Sequence, residues 1–510
     1  MKWDAVRRAR ETLAAEEGTI SKDWGGKLPI ALVYANSYYV GMSSLGLQTL
    51  YRLFNQRPDV VAERVFWAPE GLPYSVESQQ PLDAFGVLAV SVSFELDLLN
   101  LIDMLRRAGL PALAAEREES TPLLLVGGPV PTANPELMAP LIDAAFIGEP
   151  EQELDALIDI LAEVATAPRS EQRRALSRLP GVYVPGESPL PVQRQWLADM
   201  DRYPTHSTVL SPHTEFGDMY LIEISRGCKR GCRFCLAGYL YRPLRQRSVG
   251  SILAQAEEGL RYRRTLGLVG AAVSDYVEID ALLEGLRKLG AQIAVSSLRV
   301  DPLPESLLQA LSASGTQTLT VAPEAGSERL RRLVSKGITR EQILTAAARA
   351  REHGFPQLKL YFMIGLPDET EADVQAIADL AREVQAQFRR NVTVNVTPFV
   401  PKPHTPFERR AMAEAATIDG RIKLLKRELR PVRIAVRSEG AAWARVQGVL
   451  ARGDARLGQA LARLQKPSLA AWRRMLHEAG IDEEEYLRAR AAEEPLPWDG
   501  VRETCEPVSR

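Results

Sequence analysis

Apolar and polar positions along this chain follow two periods that hand over to each other repeatedly. Short runs such as 30–33 (Ile-Ala-Leu-Val) and 123–126 (Leu-Leu-Leu-Val) offer no polar residue to solvent, as expected of strands buried on both faces. Between them lie segments such as 44–54, in which Leu47, Leu50 and Phe54 recur three and four residues apart and make one apolar stripe of a helix. A first series reads as a helix over 4–16, closed off by Gly25, Gly26 and Pro29, and then strands at 29–34, 63–67, 86–91, 122–126 and 144–147. The helices of that series fall at 44–54, near 96–108 and at 151–164. Buried strands alternating with helices predict an α/β fold with a parallel, doubly wound sheet, whose ligands belong beyond the carboxyl ends of the strands. The loops there are 34–41, 91–95 and 127–129, rich in Gly, Ser and Asn. Residues 185–217 carry Pro185, Pro189, Pro191, Pro204 and Pro212 and read as a linker or hairpin. A second series follows, with strands at 219–224, 268–273, 293–297, 317–321, 358–364 and 392–397 and helices at 251–264, 279–289, 304–313, 339–353 and 371–387. These six β/α units place chemistry at the carboxyl ends of their strands. The remainder is mostly helical. The expected domains are a helical lead-in at 1–27, a doubly wound domain at 28–184, the linker at 185–217, a core domain at 218–415 and a helical domain at 416–510.

Composition narrows the setting. Of 510 residues, 45% are hydrophobic and 25% charged, with a formal charge of −2. This is ordinary globular composition with no global field to attract nucleic acid. No apolar run reaches membrane-spanning length, the first residues lack a signal-peptide core, and four cysteines in so long a chain suit a reducing compartment. A cytoplasmic location is expected.

Three of those cysteines fall in one stretch, Cys228-Lys-Arg-Gly-Cys232-Arg-Phe-Cys235, directly after the apolar strand at 219–224 and the loop at 225–227. Thiolates are soft ligands suited to zinc or iron–sulfur clusters. A structural zinc site takes four protein ligands, normally in paired CxxC units, and a purely electron-carrying cluster takes four cysteines. Three thiolates on one loop instead cap three irons of a 4Fe-4S cluster and leave the fourth open. Disulfides or scattered buried thiols give no reason for three to share one strand-to-loop turn.

This stretch, with the aromatic Phe234 before its last cysteine, resembles the cluster loop of radical S-adenosylmethionine (SAM) enzymes. The resemblance implies that Cys228, Cys232 and Cys235 hold a 4Fe-4S cluster and that the open iron binds the amino and carboxylate groups of SAM. It also implies that the reduced cluster cleaves SAM to a 5′-deoxyadenosyl radical and that the core domain is a partial (β/α)6 barrel. A zwitterion and a ribose need charged and hydroxyl partners, and the strand ends supply them. Ser274 and Asp275 stand where the superfamily has a Gly-Gly-Glu motif, absent here. Glu324 stands at the ribose or amino contact, and Arg299 and Lys359 are expected at the SAM carboxylate. The 362–366 segment, with Gly365, resembles the adenine-side motif, and Phe234 and Ser297 complete the set. The first domain, above all 34–47 and 127–129, resembles the flavodoxin-like sheet of cobalamin-binding radical SAM proteins. That implies cobalamin against Tyr34, Asn36, Gly41, Ser91, Ser93, Gly127 and Gly128. The family's Asp-x-His-x-x-Gly motif is replaced by Tyr34-Ala-Asn-Ser-Tyr-Tyr-Val-Gly41, and all five histidines (206, 213, 353, 404 and 477) come later. Cobalamin is therefore expected with its own base displaced and no protein nitrogen on cobalt.

The expected function is reductive cleavage of SAM, with cobalamin for methyl transfer to an unreactive carbon. Alternatives are a cobalamin-independent radical rearrangement, or RNA or protein modification as in the similar methylthiotransferases. Those carry a second set of three cysteines in the N-terminal domain, and here no cysteine precedes Cys228. The partners implied are an external electron donor of flavodoxin or ferredoxin type and an unidentified substrate, with no membrane. Nucleic acid is not favoured, because the basic run Arg421, Lys423, Lys426, Arg427, Arg430, Arg433 and Arg437 reads as a solvated helix face. His404 reads as a solvated loop histidine, Cys505 as a bystander thiol, and no catalytic residue is named.

Overall fold

The computed structural model describes residues 2–502; Cys505 lies outside them. Six strands, β1 (Leu28–Tyr34), β2 (Val60–Phe66), β3 (Val87–Ser91), β4 (Leu123–Gly127), β5 (Ala144–Phe146) and β6 (Val182–Tyr183), form one sheet in the order β2-β1-β3-β4-β5-β6. All pairs are parallel except β5 with β6. The alternation within β1 explains why no polar residue interrupts it. Ile30 and Leu32 pack against the helices Leu45–Gln56 and Leu154–Glu163 on one face. Ala31 and Val33 pack with the helix Asp97–Arg107 on the other. The strand order reverses between β1 and β3, which opens a crevice at their carboxyl ends.

The second series forms β7 (Met219–Glu223), β8 (Thr265–Val269), β9 (Gln292–Ala294), β10 (Thr318–Glu324), β11 (Gln357–Ile364), β12 (Asn391–Pro398) and β13 (Ala435–Ser438). β7, β8 and β9 pair in parallel, as do β10 to β13. The single bridge Leu298 to Val321, with Leu298 N donating to Thr320 O at 2.9 Å, joins the two arcs into a partial barrel. Leu358, Leu360, Phe362, Val392, Val394 and Val396 are buried among the outer helices. The alternate positions, including Thr320, Lys359, Tyr361, Thr393 and Asn395, therefore face the lumen.

Several boundaries differ from the sequence reading, among them the strand read at 63–67, which runs Val60–Phe66. The second barrel strand lies at 265–269, not 268–273, because it pairs with all of β7 and gives way after Val269 to a 3-10 turn at Val273–Asp275. The third ends at Ala294. The region read as mostly helical contributes β13, which extends the barrel beside β12 before the helices Ala441–Ala451, Ala455–Leu461 and Leu469–Ala479. Residues 185–217 are no loose tether, since Val192–Gln193 pairs with Val501–Arg502 and Val192, Leu197 and Met200 are buried. Among the described residues no helix is long and apolar enough to cross a membrane.

The sheet and the barrel meet at a polar seam. Lys402 and Gln447 both donate to the buried Glu95 carboxylate. His404, read from sequence as solvated, is instead enclosed there, with Nε2 donating to Ala133 O at 2.9 Å and its backbone N–H donating to Glu408. Burial pushes its imidazole down to about 4. Between pH 6.5 and 4 the unfolded chain thus binds the proton that the folded chain refuses, so stability falls as pH falls through that window. The loss approaches about 3 kcal/mol. Urea midpoints measured across this range should fall more steeply for the wild type than for His404→Gln; parallel curves would place the histidine in solvent.

Candidate functional site

The cysteine loop is shaped by what lies beneath it. Ser225–Arg226 pairs antiparallel with Arg245–Gln246. Gly227 has φ +85°, and a Cβ there would come within 2.3 Å of Tyr241 O and 2.7 Å of Pro243 O, so the turn into Cys228 admits only glycine. Cys232 is buried and Cys228 and Cys235 are partly so, all three as free thiols. The loop is tightened by Cys235 N donating to Cys232 O (3.2 Å) and Gly238 N to Cys235 O (3.1 Å). Burial pushes the Cys232 thiol up, opposed by the cations Lys336 and Arg299, while Glu324 and Cys228 add to the rise. Burial likewise raises Cys235, with Cys232 and Cys228 adding to it. The thiols therefore share one electrostatic neighbourhood. Among the described residues no three His, Cys, Asp or Glu side chains close on a single ion. In a cubane each thiolate caps its own iron, and three thiols on one loop match that donor set.

Around the thiols the sequence-named residues divide. Glu324 ends β10 at φ +70°, where the ladder to β11 shifts register. The loop after it is propped by buried Arg331, which donates to Ala325 O (3.1 Å) and Gly326 O (2.6 Å). A Cβ at Gly326 would lie 2.2 Å from Ile377 N, so this loop presses directly on the helix Glu371–Phe388. Glu324 pairs with Lys336 at 2.9 Å, and both charges reach Cys232. Lys336 was not singled out from the sequence. Asp275 proves to be committed elsewhere: it takes two hydrogen bonds from Arg230 of the cysteine loop, at 2.9 and 2.8 Å, and lies 3.8 Å from Arg299. It therefore fastens the loop to the barrel, and is not a free carboxylate awaiting an ammonium. Ser274 is buried beside it with an unpartnered hydroxyl, and Ser297 is exposed. Phe234 packs against an apolar cluster of Ala325, Leu330, Val334, Met363, Leu366, Phe399 and Phe407. Gly365, at φ +78°, donates its N–H to Glu369 (2.8 Å). Burial pushes the Glu369 carboxyl up to about 7 although Arg421 donates to it at 2.7 Å. Arg421 of the basic run is thus an internal partner. Lys359 sits on the lumen face of β11, three residues before Phe362, the register partner of Glu324.

A cavity of about 460 Å³ joins the two halves. Its floor is Leu32, Ala89 and Leu125 of the first sheet, and its walls are Leu45, Leu50, Phe54, Leu154 and Leu157 of the flanking helices. Ser91, Ser93, Gly127 and Gly128 ring its middle, and Gly227, Ala237 and Tyr241, which flank the cysteines, line its far side. A Cβ on Gly127 would meet nothing within 4 Å, whereas one on Gly128 (φ +105°) would lie 2.8 Å from Val92 O. The first glycine leaves space open and the second lets two loops cross. Three residues expected at a ligand do not line this cavity. Tyr34 is buried with its hydroxyl bonded to Ser93. Asn36 donates to Asp97 at 2.8 Å. Gly41 makes room for the Phe66 ring, which a Cβ would approach to 2.4 Å. The same loop instead presents Tyr39 and Val40, 48% and 41% exposed.

At the rim, buried Arg226 pairs with Glu149, Glu151 and Glu223, each at 2.8 Å, and Arg245 also pairs with Glu149. Burial alone would raise Glu149, and hydrogen bonds from Arg245 with the charge of Arg226 overcome it and hold the carboxyl below its ordinary value. This network ties β5 to the cysteine loop across 77 residues of sequence, a separation that periodicity does not reveal. Arg226→Met leaves buried carboxylates short of their cation and should cost about 3–5 kcal/mol, read as a lowered urea midpoint; a cost below about 1 kcal/mol would mean that the network is solvated.

The description "Radical SAM proteins, N-terminal" matches residues 46–185, and "Radical SAM superfamily" matches 222–381. An uncharacterized protein of Methanocaldococcus jannaschii is 30% identical over 445 residues, 86% of this chain and 92% of that one. An uncharacterized methyltransferase of Pyrococcus horikoshii is 26% identical over 52% of this chain and 59% of its own. Among solved structures, the cobalamin-dependent S-adenosylmethionine radical enzyme OxsB is 17% identical with a TM-score of 0.49, covering 70% of this chain and 52% of that one.

Proposed function

The chain belongs to the radical SAM superfamily, in one family with the Methanocaldococcus protein, and on that premise we propose that it cleaves SAM reductively at a 4Fe-4S cluster on Cys228, Cys232 and Cys235 and uses cobalamin for methyl transfer to an unreactive carbon. The observation that carries the second half is the shared cavity, in which Ser91, Gly127 and Gly128 line the same space as Gly227, Ala237 and Tyr241 beside the cysteines. Its volume suits a drug-sized group and not a whole corrinoid. Its apolar depth, lined by Leu32, Leu125 and Leu157, would hold the nucleotide tail. When bound, the reduced cluster supplies the electron that splits SAM into methionine and a 5′-deoxyadenosyl radical, and cobalamin supplies a methyl carrier.

The chain's own residues bind and orient. The Glu324–Lys336 pair beside Cys232 offers opposite charges to a zwitterion: Glu324 accepts from its ammonium and Lys336 donates to its carboxylate. Phe234 and Met363 give an apolar surface alongside. Glu324→Gln and Lys336→Met should each weaken SAM binding by roughly 1.5–3 kcal/mol without loss of iron, followed by the SAM-induced change in the cluster's electron paramagnetic resonance. Unchanged affinity in both would reduce the pair to a salt bridge of the barrel rim.

Incubation of the reconstituted protein with SAM and reductant, read by mass spectrometry, tests the reading as a whole. Both 5′-deoxyadenosine and S-adenosylhomocysteine are expected. Deoxyadenosine without S-adenosylhomocysteine would remove methyl transfer, and neither product from a fully iron-loaded protein would overturn SAM cleavage.

A further inference from the structure

One wall of the barrel lumen carries two cations and a tyrosine hydroxyl without partners. Tyr361, Asn395 and Arg437 stand in one register row across β11, β12 and β13, and Lys359 lies two residues before Tyr361. All four are on the lumen side, because Leu358, Leu360, Phe362, Val394 and Val396 between them are buried against the outer helices. The side chains of Lys359, Tyr361 and Arg437 make no hydrogen bond, ion pair or ring contact with any described residue, and the buried Asn395 Oδ1 between them is an acceptor without a partner. The neighbours Thr320, Thr393, Met363 and Thr397 are neutral, and Glu439, exposed two residues beyond Arg437 on the same side, makes no ion pair with a described residue. The carboxylate Glu324 is in register with Phe362, one residue past Tyr361 and three past Lys359, and is held by Lys336. Lys359 is half-buried and Arg437 is exposed on β13, the strand at the end of the barrel's sheet. Two unpaired cations and the Tyr361 hydroxyl on one concave wall, with Glu324 already held by Lys336, complement an anion. Arginine adds the planar fork that matches carboxylate or phosphate.

We propose that this wall binds an anionic group of the substrate, a carboxylate or phosphate, entering past β13. The inference rests on the radical SAM reading above and supplies its substrate class. It assigns Lys359 to the substrate instead of to the SAM carboxylate, and it gives Arg437 a role that the rest of the basic run lacks. The Glu324–Lys336 pair and the anion wall then hold two different ligands at two depths of one lumen.

Calorimetric titration of the full-length reconstituted protein with pyrophosphate, and separately with succinate, tests it. At least one anion should bind saturably, and which one distinguishes a phosphorylated from a carboxylic substrate. Lys359→Met and Arg437→Gln should each weaken that binding at least tenfold, with iron content and the SAM-induced change in the cluster's spectrum as in the wild type. Saturable binding of neither anion, or equal binding by wild type and both variants, would overturn the proposal. So would a Lys359→Met protein that binds the anion normally and no longer responds to SAM. The anion titration does not require the cluster, so a wild type that fails to assemble one would count against the SAM reading alone.

Discussion

Cys232→Ala protein is expected to leave anaerobic reconstitution without a stable cluster and to form no 5′-deoxyadenosine. Of the three thiols Cys232 is the most enclosed, and the charges of Glu324, Lys336 and Arg299 converge on it. Removing it leaves one iron uncapped. Among the described residues no histidine or further cysteine stands by to replace it, since all free cysteines there belong to the loop itself. The loop's other restraints, the Arg230–Asp275 pair and the turn at Gly227, do not involve this side chain. The variant should therefore keep the wild-type circular dichroism and urea midpoint while losing iron. Wild-type iron content and turnover in this variant would mean that the cluster sits elsewhere. Cys228→Ala and Cys235→Ala should behave alike.

Gly127→Ile should abolish corrinoid binding and spare the cluster. Gly127 ends β4 inside the cavity and a Cβ there meets nothing within 4 Å, so a branched side chain enters open space without displacing protein. A β-branched residue also suits a strand end. With the slot filled, a nucleotide tail has no room, and cobalt retained after gel filtration should drop to background at unchanged iron content. Gly128→Ala is the contrasting change: φ +105° and the Val92 carbonyl at 2.8 Å make it a folding defect, read as lowered stability. If Gly127→Ile kept its cobalt, the ligand would lie outside this cavity.

Much of this site was legible in the sequence, and the parts that were not have physical causes. The first sheet and most of the barrel declared themselves because β1, β3, β4, β11 and β12 bury apolar side chains on at least one face without interruption. β13 did not, since Ala435-Val-Arg-Ser438 offers one apolar inward residue inside a basic stretch. The cysteines were legible because their spacing is local. Lys336, which faces Glu324 from across a helix, and Arg230, which takes Asp275 from 45 residues away, were brought into place only by tertiary packing. Gly41 shows the limit of reading loop glycines as ligand contacts: its neighbour is the Phe66 ring. His404 was misjudged because nothing in a proline-rich loop announces that Ala133, 271 residues earlier, will pack on it.

The shared cavity is tested most directly by anaerobic reconstitution of the wild-type protein with iron, sulfide and hydroxocobalamin, gel filtration, and the electron paramagnetic resonance of the retained Co(II). About four irons and one cobalt per chain are expected. The Co(II) signal should lack nitrogen superhyperfine splitting, because the loop 34–41 holds no histidine and a tail buried in the slot withdraws its own base from the metal. Splitting by an axial nitrogen would contradict the tail's placement in the slot, and a protein that retains iron but no cobalt would contradict cobalamin as the occupant of the cavity.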